Sequence, residues 1–307
     1  MIFFTVFKQV FILLLLIALG FLLTKRKIFT DAGIESMTEL VLLFVTPCVI
    51  IKSFIREYDP ATLKYILISF AAAVGIHLLF IIVAHLLFRS KDQRKNCVLR
   101  FGVVFTNCGY MSLPLQEAVL GADGVLYGAS FIAIFNLIVW SYGITLMSGD
   151  KKYISPKKLI FNPGIIGLVV GFVVFIFSVP MPEIISAPIG YLAALNTPLP
   201  MLIIGYHLAQ SDIKKALTDP NCIFAVVIRL VLLPLLAIGL LYLCGLRGNL
   251  YVSMVIAACA PTAAITTMFS AKFDRATDLS VNMVSISTIL SLITMPLLVT
   301  LAQMIGG

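Results

Sequence analysis

The chain has 307 residues, of which 61% are hydrophobic and only 12% charged, and its mean hydropathy is +1.09. Soluble domains are about half apolar and about a quarter charged, so this composition excludes a soluble globular protein and leaves little chain for an extramembrane domain. The net charge of +8 sits mainly in short loops between apolar stretches, which argues against a nucleic-acid surface and makes the basic residues reporters of membrane orientation.

Ten stretches have about the length needed to cross a hydrocarbon core: residues 4–24, 33–54, 63–88, 97–120, 125–147, 159–179, 184–210, 220–245, 249–271 and 277–304. The first, FFTVFKQVFILLLLIALGFLL, lacks a small-residue cleavage site and is followed by Lys25, Arg26 and Lys27. It reads as a retained span, not a signal peptide. Sixteen of the 22 basic residues fall in the connections after spans 1, 3, 5, 7 and 9, Lys91, Lys158, Lys214 and Lys215 among them. Four, Lys52, Arg56, Lys64 and Arg247, fall on the opposite side. This skew places both termini outside a cell membrane.

Other chemistry is weakly represented. The six cysteines lie in apolar segments with no CxxC pair and no zinc-ligand spacing, and read as small buried hydrophobes. Intramembrane proteases need paired membrane aspartates, a GxSG serine with a histidine, or HExxH. None is present, and Asp123, Asp150 and Asp278 fall in loops. The expectation is a protein that is not an enzyme and needs no cofactor.

The chain divides into five-span halves, 1–147 and 159–307, joined by a basic cytoplasmic linker, 148–158. Thr46-Pro47 in span 2 matches Thr197-Pro198 in span 7, at an offset of 151 residues. Pro114 matches Pro261 at 147, and Asn136 matches Asn282 at 146. Five spans are odd in number, so the halves are inverted in the membrane. Such repeats belong to secondary transporters, whose substrate sits near the midplane where helices are interrupted.

Spans 4 and 9 carry those interruptions. In FGVVFTNCGYMSLPLQEAVLG, Pro114 removes a donor and obstructs the carbonyl of Tyr110, and Gly109 permits unwinding. The N-terminus of a half-helix offers free N–H groups and partial positive charge to a carboxylate. Asn107 adds an amide that donates and accepts, beside Cys108 and Ser112. In YVSMVIAACAPTAAITTMFSA, Pro261 breaks span 9, and Thr262, Thr266 and Thr267 supply hydroxyls. Arg229 lies about ten residues into span 8, where it either faces an anionic substrate, pairs with Glu117, or snorkels to the surface. Glu117 follows Pro114 by one turn. His77, His85 and His207 are the side chains in the spans that titrate near neutrality, and His207 joins Arg229 and Glu117 as a candidate for coupling.

The motif Asn107-x-Gly109-x-x-Ser112-x-Pro114 resembles the N-x-G-x-x-G-x-P signature in the fourth helix of the auxin efflux carrier family, whose bacterial members include malate and malonate permeases. APTAA (260–264) resembles the ninth-helix signature, RLVLLP (229–234) the eighth helix, and STILSLITMP (287–296) the last. The resemblance runs over the whole chain, without the long central loop of plant carriers. It implies an all-α polytopic fold of ten transmembrane helices in two inverted five-helix repeats, similar to the sodium/proton antiporters and bile-acid symporters. Helices 1, 2, 6 and 7 would form a scaffold and helices 3–5 and 8–10 a moving transport domain. Broken helices 4 and 9 would cross at the substrate, and scaffold helices 2 and 7 would pair in a homodimer. Ser112 stands where the family favours Gly, so its hydroxyl is a candidate for altering substrate choice.

The expected function is a permease for a small organic anion, such as malate, malonate or an auxin-like acid, working by elevator-type alternating access. An anion channel and an ion-coupled symporter of the bile-acid type are the alternatives. Coupling to protons, to sodium or to neither is left open.

Overall fold

Side chains placed at the membrane edge set where the helices begin. Asp59-Pro60, Asn162-Pro163 and Asp219-Pro220 each open one. The carboxylate or carboxamide accepts from amides of the first turn, and the proline, which has no N–H to lose, fills the first helical position. The Asp59 carboxyl is held below its ordinary range by the Thr62 hydroxyl and the Thr62 and Ala61 amides. This cap is therefore intact at neutral pH and weakens as pH falls through that lowered value. Thr30 and Asp92 cap two further helices through their side chains.

The computed structural model describes residues 2–89, 92–155, 157, 161–210 and 218–307. Of the loop cations, Lys91, Lys158, Lys214 and Lys215 lie outside the described residues. Within them the regular structure is helical: α1 (Ile2–Lys25), α2 (Asp31–Leu40), α3 (Thr46–Phe54), α4 (Pro60–Leu87), α5 (Gln93–Val104), α6 (Leu113–Ile138), α7 (Ile144–Ser148), α8 (Pro163–Ile176), α9 (Glu183–Ala194), α10 (Pro198–Gln210), α11 (Pro220–Val227), α12 (Leu233–Leu243), α13 (Gly248–Cys259), α14 (Ile265–Lys272) and α15 (Thr277–Gly306). Seven runs are long and apolar enough to cross a membrane, and α8 and α13 are shorter apolar helices. This is an all-α polytopic membrane protein.

One of those runs, Cys108–Ser148, spans 41 residues, about twice what a bilayer needs. It is two helices back to back. Gly121 adopts φ +65° and ψ −151° inside α6, a conformation that favours glycine. Beyond it the chain doubles back, because a Cβ on Gly128 would overlap the Gln116 carboxamide twelve residues earlier. Helix thus occupies each of the ten stretches read from the sequence.

Three prolines are absorbed by widened turns. Thr46, Leu113 and Leu233 each donate to the carbonyl five residues back, at Val41, Cys108 and Ile228. Pro47, Pro114 and Pro234 follow directly. An extra residue in the turn relieves the clash between the proline ring and the carbonyl four residues earlier. These prolines bend their helices without interrupting them.

Glycines bring the remaining helices together. Gly20 of α1 lies against Leu202 of α10, and Gly205 of α10 against the backbone of Ile17, so tightly that a methyl group would overlap either. Gly167 of α8 meets Pro47, and Gly171 meets the Phe54 ring. Lys25 donates to the Ala209 carbonyl at 2.9 Å, tying the C-terminal ends of α1 and α10 together. Next to them α4, the α6 hairpin, α13 and α15 pack around the break in spans 4 and 9, with α1 lying against α15.

Candidate functional site

The two interrupted helices meet at their breaks. α5 ends at Val104, Phe105 turns extended, and the chain passes through Thr106 and Asn107 before the wide turn Cys108–Ser112 leads into α6. α13 ends at Cys259, and α14 resumes at Ile265. The extended pieces pair as an antiparallel bridge between Thr106 and Thr262. Asn107 N donates to Pro261 O at 2.7 Å, and Ala263 N donates to Phe105 O at 3.0 Å. Each bond is the image of the other about a local twofold through the bridge. A fragment of β pairing satisfies backbone that would otherwise be orphaned in hydrocarbon.

The pairing corrects one expectation. Pro114 does not break its helix and is not the counterpart of Pro261. The interruption lies at Phe105–Asn107, upstream of Pro114, which the widened turn accommodates. Bridge partners Thr106 and Thr262 are 156 residues apart, unlike the matched prolines. On this correspondence Asn107 is the equivalent of Ala263, so only the first break carries an amide side chain.

Both half-helices that end here present carbonyls, and Arg229 collects them. Its guanidinium donates to Val103 O at 3.1 Å, to Ala260 O at 3.1 Å, and to Ala258 O. It is fully buried and lies over the Phe80 ring at 4.9 Å. Two helix C-termini place partial negative charge at one point, and the guanidinium neutralises both. It neither snorkels nor pairs with Glu117, which instead sits 3.6 Å from Lys52. Thr262 adds a second tie, its hydroxyl donating to Gly102 O at 3.0 Å while its amide donates to Ser287 Oγ at 3.1 Å.

The half-helix that begins at Cys108 is less encumbered. Met111 N bonds back to Asn107 O, so the amides of Cys108, Gly109 and Tyr110 precede the first helical bond. The Asn107 side chain makes no capping bond and is 7% exposed. A Cβ on Gly109 would meet nothing within 4 Å, and its φ is not left-handed. Glycine here keeps space open in front of a helix N-terminus. The hydroxyls of Thr106, directly before Asn107, and of Thr266, just beyond the second break, are buried without a hydrogen-bond partner.

Of the residues singled out from sequence, Asn107, Cys108, Gly109, Pro261 and Thr262 come together at the bridge. Ser112 is turned away and donates to Ile256 O at 3.3 Å, which packs the wide turn against α13. Asn136 bonds to Ile132 O and accepts from Asn162 at 3.0 Å, at the start of α8. Asn282 lines a separate pocket of about 640 Å³ with Lys95, Asp219 and Arg275. His207 is exposed on α10, edge-on to Tyr206. Thr106 and Ser287 were not singled out from sequence. The signal for Thr106 is a β-branched residue directly before Asn107, and for Ser287 only its place at the head of the STILSLITMP stretch.

The sequence matches the membrane transport protein family over residues 5–299. It is also similar to a chain from Methanothermobacter thermautotrophicus described as an uncharacterized transporter. The two are 24% identical over 294 residues, covering 94% of this chain and 96% of that one.

Proposed function

This chain belongs to the membrane transport protein family, and we propose that it moves a small organic anion by alternating access, with the anion held at the Thr106–Thr262 crossing. The observation that carries this reading is the asymmetry of charge at the crossing. The C-terminal ends of α5 and α13 are neutralised by Arg229, whereas the N-terminal end at Cys108 keeps its amides, the Asn107 carboxamide and the space beside Gly109. A carboxylate suits that end.

The ten-span inverted layout and the elevator motion belong to the same proposal. Helix pairs α1–α10 and α3–α8, held by glycines, suit a rigid scaffold of helices 1, 2, 6 and 7. A second copy would join through helices 2 and 7. The anion is a carboxylate of the size of malate or malonate, or an auxin-like acid, in a cell membrane with both termini outside.

Uptake into proteoliposomes tests this directly. Radiolabelled malonate and malate, with sodium and pH varied, should enter saturably, and Asn107→Ala should lower uptake at least tenfold while the protein elutes and melts like wild type. Wild-type uptake in that variant would remove the site. Single-channel currents far above transporter turnover would replace a carrier with a pore.

A further inference from the structure

Asn196 is the most anomalous polar group in the protein. It lies in the short turn Leu195–Thr197 that separates α9 from α10, at 0% exposure. Its backbone N donates to Ala193 O, yet neither side-chain atom has a partner. Among the described residues no other side chain has two buried polar atoms unpaired. Burying a polar group without a partner is unfavourable, and a leucine of similar volume would avoid that cost.

Its position gives the amide a use. α10 begins two residues after it, and Leu199, Ile203 and Tyr206 lie on one face of that helix. Those residues cluster with Ile34, Val41 and Tyr110. Tyr110 is one turn beyond Asn107. Asn107, from the broken helix of span 4, stands three residues before Tyr110, and Asn196, from span 7, three residues before Leu199, so the two unpaired amides approach the same cluster from different helices.

We propose that Asn196 is a second ligand of the transported anion, supplied by the scaffold, and that it reads the second polar group of a substrate such as malate or malonate. One carboxylate sits at the Cys108 helix end and Asn107. A second hydrogen-bonding group, a hydroxyl or another carboxyl, engages Asn196, whose carboxamide both donates and accepts. A monocarboxylate without a second polar group leaves Asn196 unpaired and binds more weakly. This assignment rests on the proposed anion site and adds the residue that discriminates between mono- and bifunctional anions there.

Two measurements test it. Asn196→Cys in proteoliposomes should gain one adduct over wild type with a membrane-impermeant methanethiosulfonate, read by intact mass, because a substrate ligand must meet water in part of the cycle. Folded protein with no extra adduct overturns the proposal, whether or not any substrate is found. Second, malonate uptake should be competed by malate and succinate far better than by acetate. Asn196→Leu should erase about tenfold of that preference, the worth of one hydrogen bond, and Asn196→Gln should retain part of it. An unchanged preference in Asn196→Leu, with a raised melting temperature, would make Asn196 a packing defect. Wild-type uptake in Asn107→Ala would instead sink the underlying anion site, a distinct result.

Discussion

At the crossing, three carbonyls depend on one guanidinium. In Arg229→Leu the oxygens of Val103, Ala258 and Ala260 would face a dry interior, each unpaired acceptor costing about 1–3 kcal/mol. The expected result is a large fall in melting temperature in detergent, with little protein recovered. Arg229→Lys keeps the charge but lacks the planar fork that reaches several acceptors, so its melting point should fall between. A wild-type melt for Arg229→Leu would show that the carbonyls find other partners. Two glycines within seven residues separate packing from function. A Cβ on Gly102 would meet Met283 Cε at 2.7 Å, the end of a side chain that can swing aside, and Thr262 Cγ2 at 3.2 Å, whose hydroxyl and amide are tied at the crossing, so Gly102→Ala should lower the melting temperature modestly. Gly109 has open space, so Gly109→Ala should melt at or slightly above wild type, since alanine favours helix by up to about 1 kcal/mol. The same methyl would stand where the anion is proposed to bind, and uptake should drop about tenfold or more. If both glycine variants behave alike in melting and in uptake, this division of roles fails.

Helices and turns show which parts of the architecture were legible in the sequence. Apolar lengths placed helix in all ten stretches, and the Asp-Pro and Asn-Pro dipeptides mark helix starts that capping chemistry explains. Asn107, Gly109 and Pro261 were legible as a break because each weakens a helix by a nameable cause. The exact place of the first break was not, because Pro114 has two outcomes: it ends a helix, or it follows a widened turn, and tertiary packing decides which. Arg229 was legible as an anomaly but not in its role, because backbone carbonyls leave no trace in sequence. Asn196 escaped notice because an isolated Asn in a span is usually paired. At this scale α3 also meets the α6 hairpin through charge: Arg56 pairs with Asp123 at 2.7 Å and Lys52 with Glu117 at 3.6 Å. Half-exposed pairs are worth about 0–1 kcal/mol each, little for folding but enough to shift a balanced two-state equilibrium several-fold. Arg56→Glu should therefore change uptake without changing the melt, and Asp123→Arg added to it should restore the wild-type rate. Failure of the double variant to recover would make the pairs incidental.

For the whole molecule, the proposed motion needs some interfaces to slide and others to stay fixed, and the packing distinguishes the two. The α3–α8 contact is closed by Gly167 against Pro47, with 2.8 Å from a Cβ to the proline backbone. Surfaces this close are steep in energy and resist sliding. The contact between α3 and the hairpin around Glu117 is made by long charged side chains with partial exposure, which exchange partners easily. Elevator transport therefore predicts opposite effects for two cross-links. A reducible bifunctional methanethiosulfonate joining cysteines at Lys52 and Glu117, which spans the length of the former ion pair, should stop uptake, with recovery on reduction. The same reagent on cysteines at Tyr58 and Ser178, where Tyr58 N donates to the Ser178 hydroxyl at 2.8 Å at the edge of the proposed scaffold, should leave uptake intact. Uptake in proteoliposomes before and after cross-linking reads both, with intact mass to confirm each link. If the Lys52–Glu117 link forms and uptake continues, the hairpin and α3 travel together. The boundary between fixed and moving parts must then lie elsewhere, with the crossing at Thr106 and Thr262 on the same side of it as α3.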